Sequence, residues 1–249
     1  MNKATYYKAA GLVIIFLAAL AIRLYPVINS PEKVRYGLGP FGDTHLYHRI
    51  AYNLYKGNGF SGIDDGRAYG LGQKEESLEY EPAITRGPAY PLFMYFVYKY
   101  FGHPDAMKSI KNWHKNWDKI RIVQCILDAT ICLLVFFIVK LIYPAYIWPA
   151  LISAFLYCFS FYNIFYTKAL LSESVSTFLV TLSIFFCILG LKDEKKYWLL
   201  LAGIGFGLVA LSRPEYILFL FILPVLIFFV NRQIPKIAIK KSMIFLSAQ

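Results

Sequence analysis

One short stretch near the start of the chain, FGDTHLYHRI at residues 41–50, carries three titratable side chains that could do chemistry: Asp43, His45 and His48. It follows an apolar run at 7–24 that is close to the roughly 20 residues needed to cross a membrane. Ionisable groups placed where the chain leaves the lipid are costly, so they usually pair or line a cavity. Aspartate is also a common N-terminal cap of helices, so a purely structural role for Asp43 stays open.

The two histidines of this stretch raise the question of a metal site. With Asp43 they offer one carboxylate and two imidazoles, but no further ligand follows at a useful spacing. A surface or interface role is therefore favoured for His45 and His48. A divalent metal is left open, and no other cofactor is predicted.

Four more charged residues, distant in sequence, are predicted to lie at the same outer membrane surface. Arg86 precedes an aromatic segment, Glu173 begins an apolar run, and Arg213 and Glu215 form a tight turn. Ionisable groups near a membrane core are costly, so they usually pair or line a cavity. Each also has a local explanation, namely snorkelling for Arg86, capping for Glu173 and turn chemistry for the last two. Their convergence therefore carries the case for function.

The elements that must position these residues follow from composition. Hydrophobic residues make up 58% of the 249 residues and charged residues only 16%, whereas a soluble domain has about 25% charged residues. The predicted fold class is all-α, a polytopic membrane helical bundle. A seventh run begins near residue 244, so further C-terminal spans are expected to be missing. The six predicted spans are 7–24, 120–143, 146–166, 170–191, 197–211 and 214–230.

Charge distribution predicts the orientation and excludes nucleic acid as a partner. The net charge is +11, but the basic residues flank apolar runs rather than forming one patch. Lysine and arginine concentrate in cytoplasmic loops of membrane proteins, so the N-terminus is predicted to be cytoplasmic. The residues on that side would be Lys3, Lys8, Lys140, Lys192, Lys195, Lys196, Arg232, Lys236, Lys240 and Lys241. The short loops on the other side would hold only Lys168 and Arg213.

The predicted external loop, about 25–119, contains two segments that are typical of interfacial helices. In the first, Leu46, Ile50 and Leu54 recur at spacing four, and Gly57 suits the C-terminal cap. The second, PAYPLFMYFVYKYFG at 88–102, is too short to span and very aromatic, which favours the membrane interface. Inside the second span, Arg121, Gln124 and Asp128 add a polar repeat at i, i+3 and i+7.

Four motifs, in this order along the chain, resemble the GT-C fold glycosyltransferases. They are GDTHLYHRIAYNLYKGNGFS, ITRGPAYPLF, KALLSES and SRPEY. The similarity is to the protein O-mannosyltransferase-like branch, of glycosyltransferase family 39 type, and to the bacterial lipid A aminoarabinose transferases. It extends from the first span to the sixth. The family continues through further spans, so these 249 residues alone are expected to be an N-terminal portion that could lack activity.

The resemblance implies a sugar transfer from a polyprenyl-phosphate donor to a hydroxyl of a lipid, glycan or protein acceptor, on the outer or lumenal face. The essential acid of the family's first external loop falls on Asp43, a basic residue of that loop on Arg86, and a later acid on Glu173. Protein mannosyltransferases commonly have an Asp-Glu pair where Thr44 follows Asp43 here. The acceptor preference therefore does not carry over.

This chemistry assigns a role to each charged residue. Asp43 is the predicted catalytic base. Arg86 and Arg213 suit the donor phosphate, because guanidinium groups bind phosphate in a forked geometry. Glu173 would orient the sugar or hold an arginine. The alternatives are a transporter or flippase of a lipid-linked substrate and a non-catalytic membrane subunit. Clustering of the polar groups at one surface speaks against transport. The expected location is a cell membrane, or the endoplasmic reticulum in a eukaryote. The candidate supporting residues are His45, His48, Asp128 and Glu215.

Overall fold

The computed structural model describes residues 3–29, 43–62, 81–83, 86–102, 110–193, 195–230 and 235–248. Over these residues the chain is almost entirely helical, and the predicted all-α membrane bundle is confirmed. The helices are α1 (Lys3–Asn29), α2 (Asp43–Lys56), α3 (Ala89–Phe101), α4 (Ile110–Ile142), α5 (Trp148–Cys158), α6 (Phe161–Lys168), α7 (Glu173–Lys192), α8 (Tyr197–Ser212), α9 (Ile217–Val230) and α10 (Pro235–Leu246).

A two-residue antiparallel ladder follows α2 and is the one β element among the described segments. Its strands, β1 (Ser61–Gly62) and β2 (Glu81–Pro82), pair Ser61 with Pro82 and Gly62 with Glu81. The turn that leads into it has Gly57 at φ 87° and Gly59 at φ 74°, conformations that side-chain-bearing residues rarely adopt. Helix α2 therefore ends at Lys56, and the glycine turn leads the chain directly into the ladder.

Three helices are long and apolar enough to cross a membrane: Ala10–Asn29, Trp117–Ile142 and Glu173–Lys192. Helix α4 packs against α1, α5 and α7, and α7 packs against α8. Small residues let the last pair approach closely, because a Cβ on Gly205 would collide with the hydroxyl of Ser183. Helices α8 and α9 are shorter apolar helices that pack with α10.

Two sequence-based boundaries differ from the structure. The predicted span 146–166 is not one helix, because α5 and α6 are separated at residues 159–160 and bent by 46°. The residues around the bend are apolar or aromatic except Ser160 and Asn163, so hydropathy averaged over the segment does not reveal it. The last helix begins at Pro235, whereas the sequence predicted an apolar run from near residue 244. The prediction differed because the lysines of this helix were assigned to a cytoplasmic loop.

The bundle has two chemically different ends. Glu173 begins α7 and Lys192 ends it, while Lys196 precedes α8 and Arg213 follows it. We call these the site end, with Glu173 and Arg213, and the lysine end, with Lys192 and Lys196. At the lysine end, the Lys192 ammonium group contacts the carbonyl oxygen of Leu141, which lies in the last turn of α4. Cations at helix C-termini stabilise the exposed carbonyls.

Candidate active site

Two arginine–carboxylate pairs occupy the site end. Arg86 donates from Nη2 to Asp43, and Arg213 donates from Nη1 to Glu173 Oε1 at 3.0 Å. A second bond joins Arg213 Nη2 to Oε1 of Glu215, also at 3.0 Å. The structure thus brings together all five charged residues that the sequence predicts at one surface. The Asp43 side chain is 45% exposed, so its carboxylate is accessible to a substrate.

The two pairs are joined through backbone contacts between distant segments. A Cβ on Gly87 would collide with the carbonyl oxygen of Leu211 and lie 3.1 Å from that of Ser212. Only glycine allows the Arg86 loop to rest on the end of α8, next to Arg213. On the other side, Thr44 donates its hydroxyl to the Leu170 carbonyl at 3.2 Å. The site is therefore one cluster rather than two separate ion pairs.

The local sequence explains why the acids stand where they do. Asp43 and Glu173 both lie in the first turn of their helices, where carboxylates interact favourably with the helix dipole. The N-cap position of α7 is Ser172, not Glu173, and its side chain makes no capping bond. The Glu173 carboxylate is instead engaged by Arg213.

Two buried polar atoms of α7 have no hydrogen-bond partner within the described part of the chain: Oε2 of Glu173 and Oγ of Ser174. Buried polar atoms are nearly always hydrogen-bonded, so such atoms call for an explanation. Oε1 of Glu173 is taken by Arg213, whereas Oε2 remains available to accept a bond from a ligand hydroxyl. The arrangement suits a carboxylate that is held on one oxygen and recognises substrate with the other.

Tyr47 is a site residue that the sequence interpretation missed. It is buried beside Ser172, and it lies in the field of Asp43, Arg86 and Glu173. Burial raises the pKa of Tyr47 above its usual value, so the phenol stays protonated. The sequence did indicate a position near Asp43, because Tyr47 follows Asp43 by four residues and so lies on the same face of the helix.

Of the two predicted supporting histidines, the structure describes the side chain of His48 only, and it does not share a metal site with Asp43. His48 lies in an aromatic pocket, with Nδ1 2.6 Å from the Tyr98 hydroxyl and 3.4 Å from Nε1 of Trp117. The side chain of His45 lies outside the described residues. Among the residues that the structure describes, no three His, Cys, Asp or Glu side chains are grouped to hold a metal ion.

Asp128 lies in a second polar cluster inside the bundle, bound to Arg23, which the sequence interpretation had overlooked. Arg23 is fully buried and donates from Nε to the Asp128 carboxylate. Its Nη1 donates to the Cys158 carbonyl at 3.1 Å, and the Tyr157 hydroxyl donates to Asp128 at 2.7 Å. These contacts tie α1, α4 and α5 together at the bend, so Asp128 does not face Asp43.

Comparison with known proteins gives one family. The family model described as dolichyl-phosphate-mannose-protein mannosyltransferase matches residues 109–249, which is more than half of the chain. Glu173 and Arg213 lie inside the match, whereas Asp43 and Arg86 precede it. Searches of the curated proteins and of the solved structures gave no match.

Proposed function

Because the chain belongs to the dolichyl-phosphate-mannose-protein mannosyltransferase family, which are membrane glycosyltransferases of the GT-C type, we propose that it uses a polyprenyl-phosphate-linked sugar as donor. The acceptor is a hydroxyl group at the site end. The observation that carries the proposal is the pairing of two arginines with two carboxylates in one accessible cluster. Such a cluster supplies both cations for a phosphate and a carboxylate for proton transfer.

The proposed reaction is a direct displacement at the anomeric carbon. The acceptor oxygen forms a bond to that carbon while the bond from the carbon to the phosphate oxygen breaks, and the lipid phosphate leaves with the electron pair. Asp43 takes the hydroxyl proton. Arg86 and Arg213 stabilise the departing phosphate, and Oε2 of Glu173 accepts a hydrogen bond from the sugar. The anomeric configuration inverts.

The contact between Arg86 and Asp43 suggests how donor binding prepares the base. The donor phosphodiester carries one negative charge on two free oxygens, as a carboxylate does, so it can take the place of Asp43 on the guanidinium fork of Arg86. When the donor phosphate engages Arg86, Asp43 loses its counterion and becomes free to accept a proton. Donor binding would thus precede activation of the acceptor.

Binding of dolichyl phosphate, the lipid product, tests the roles of the arginines. Arg86→Ala and Arg213→Ala in the full-length protein are each expected to weaken binding roughly ten- to a hundredfold, because a charge-assisted hydrogen bond contributes about 1.5–3 kcal/mol. Lysine at either position should restore only part of the affinity, since it cannot form the fork. The affinity is measured by tryptophan fluorescence or by calorimetry in nanodiscs.

The matched control for this experiment is Lys119→Ala. Lys119 is half-buried and contacts the carbonyl of Phe101, so its removal takes away one positive charge outside the arginine–carboxylate cluster. The dissociation constant of Lys119→Ala for dolichyl phosphate should stay close to that of the unaltered protein. Unchanged affinity in both arginine variants, or an equal loss in Lys119→Ala, would contradict phosphate binding by the cluster.

We further propose that the site end faces the exterior or the lumen and that the lysine end faces the cytoplasm, as the distribution of basic residues favours. A cysteine at exposed position 58 should react with a membrane-impermeant maleimide in intact cells. A cysteine at position 193 should react only after permeabilisation. Serine replaces the four buried native cysteines in both variants. Labelling of both positions from one side would reject this topology.

The alternative of a transporter or flippase has less support. A transport path needs ionisable groups that contact a moving substrate at mid-membrane depth. The buried pair of Arg23 and Asp128 instead bonds to the helix carbonyls and to Tyr157. The contacts of Arg23 and Asp128 also give no reason to favour the second alternative, a non-catalytic membrane subunit. Release of dolichyl phosphate from the donor distinguishes an enzyme from both alternatives, because neither a transporter nor a non-catalytic subunit produces it.

A further inference from the structure

Helix α6 is a short segment with backbone groups to satisfy at both ends. It is separated from α5 by the 46° bend and ends at Lys168, five residues before α7 begins. The last carbonyls of any helix have no partner within the helix. In a membrane each of these carbonyls needs a partner from the protein, because lipid supplies none. In the structure, Arg23 of α1 donates to the last carbonyls of α5, and residues of α4 donate to the carbonyls at the end of α6.

The end nearest the site is held by the polar face of α4. Gln124 Nε2 donates to the Ala169 carbonyl at 2.9 Å and to that of Thr167 at 3.4 Å. Arg121 Nε donates to the Lys168 carbonyl at 2.8 Å. These contacts explain the polar repeat on the second span, which binds the carbonyls leaving α6 rather than substrate. Gln124 is fully buried, so its amide has no water to replace these bonds.

The next residues in the chain are those that assemble the site. The Leu170 carbonyl accepts a hydrogen bond from the hydroxyl of Thr44, Ser172 lies beside Tyr47, and Glu173 bonds to Arg213. The segment 169–173 therefore connects α2, which carries Asp43, to α7, which carries Glu173. Any displacement of this segment changes the separation of the two carboxylates.

We propose that Gln124 and Arg121 are positioning residues that hold the segment 169–173 so that Asp43 and Glu173 face one substrate. This inference rests on the proposed transferase function for its catalytic consequence only. In the contacts that the described part of the chain shows, both residues bond to backbone carbonyls outside the arginine–carboxylate cluster. Both act by donating to the carbonyls that precede it. A misplacement of about 1 Å between reacting groups can lower a rate on the order of a hundredfold.

The test compares Gln124→Met with Tyr90→Phe in the full-length protein. Methionine matches the size of glutamine but removes both amide donors. Tyr90→Phe removes only the bond that the Tyr90 hydroxyl donates to Gln124 Oε1 at 2.7 Å, and it leaves the donors to the carbonyls in place. Arg121→Lys is a milder second variant, because lysine keeps the charge beside Asp118 but lacks the Nε donor.

Two readouts separate positioning from loss of fold. Hydrogen–deuterium exchange of the backbone amides at 169–176 should rise in Gln124→Met and in Arg121→Lys, while exchange within α8 stays unchanged. Turnover of dolichyl-phosphate mannose should fall roughly tenfold or more, with the affinity for dolichyl phosphate nearly unchanged. Tyr90→Phe should show neither change.

A stability control uses Leu199→Ala. Leu199 is buried at the lysine end against Gly190, so truncation lowers the unfolding temperature without touching the segment. Its turnover, measured below that temperature, should match that of the unaltered protein. Unchanged exchange at 169–176 in both α4 variants, or an equal loss of turnover in Leu199→Ala, would overturn the proposal. Absence of sugar transfer from every polyprenyl-phosphate-linked donor tried with the unaltered protein would reject the proposed function alone, because the exchange result does not depend on it.

Discussion

Asp43→Asn in the full-length protein is expected to fold normally and to turn over the donor on the order of a hundredfold more slowly, or worse. Asparagine caps a helix about as well as aspartate and can still accept a hydrogen bond from Arg86, so the fold should not suffer. It cannot accept the proton of an attacking hydroxyl. Release of dolichyl phosphate from dolichyl-phosphate mannose, at saturating donor, measures the effect without interference from weaker binding.

Glu215→Gln is the matched control for Asp43→Asn. Glu215 is also an arginine-bound acid of the site end, but its side chain is 65% exposed and its partner Arg213 has a second carboxylate in Glu173. Losing the Glu215 charge should therefore change turnover only slightly. A folded Asp43→Asn protein with a rate close to normal would leave Asp43 with a capping or ion-pairing role and move the base elsewhere.

The other large effect is expected at the buried pair of Arg23 and Asp128. Asp128→Leu removes the only carboxylate seen to bind Arg23 in the described part of the chain. The guanidinium group cannot give up its charge by deprotonation, so it stays buried and uncompensated. We expect a loss of about 3–5 kcal/mol in the free energy of unfolding. Reversible denaturation in detergent, followed by circular dichroism, measures it.

The double variant Arg23→Met with Asp128→Leu is the control for this prediction. With both charges gone, no uncompensated ion remains, and the protein should lose less stability than either single variant loses. Some loss will persist, because the carbonyls of Tyr157 and Cys158 lose the donors that Arg23 supplies at the bend. A double variant that loses the sum of the two single losses would show that the two residues act independently.

Much of the site could be predicted at the level of which charged residues lie at the same end of the helical bundle. Asp43, Glu173 and Arg213 each lie at a helix terminus, and helix termini follow from the lengths of apolar runs and from nearby proline and polar residues. The structure confirms that these side chains lie together. Their catalytic roles stay predictions, as does the orientation of the bundle in the membrane.

The pairing of the charges could not be predicted, since each partner comes from a different part of the chain. Asp128 was grouped with the site because it repeats on the same face as Arg121 and Gln124. That periodicity was correct, but Arg23, which binds Asp128, is 105 residues away in sequence. The same face of α4 binds the carbonyls at the end of α6 directly and, through Arg23, reaches the last carbonyls of α5, a need that exists only because the span 146–166 is bent.

What the sequence determined alone is the membrane-embedded helical bundle, because hydrophobic composition and the length of apolar runs act locally and need no partner. The family, too, follows from the sequence. Only the tertiary structure decided which arginine binds which acid, where the third predicted span bends, and that Tyr47 joins the cluster. The physical reason is that a buried charge or a freed carbonyl must find a partner in space, and helix packing chooses that partner regardless of its distance along the chain.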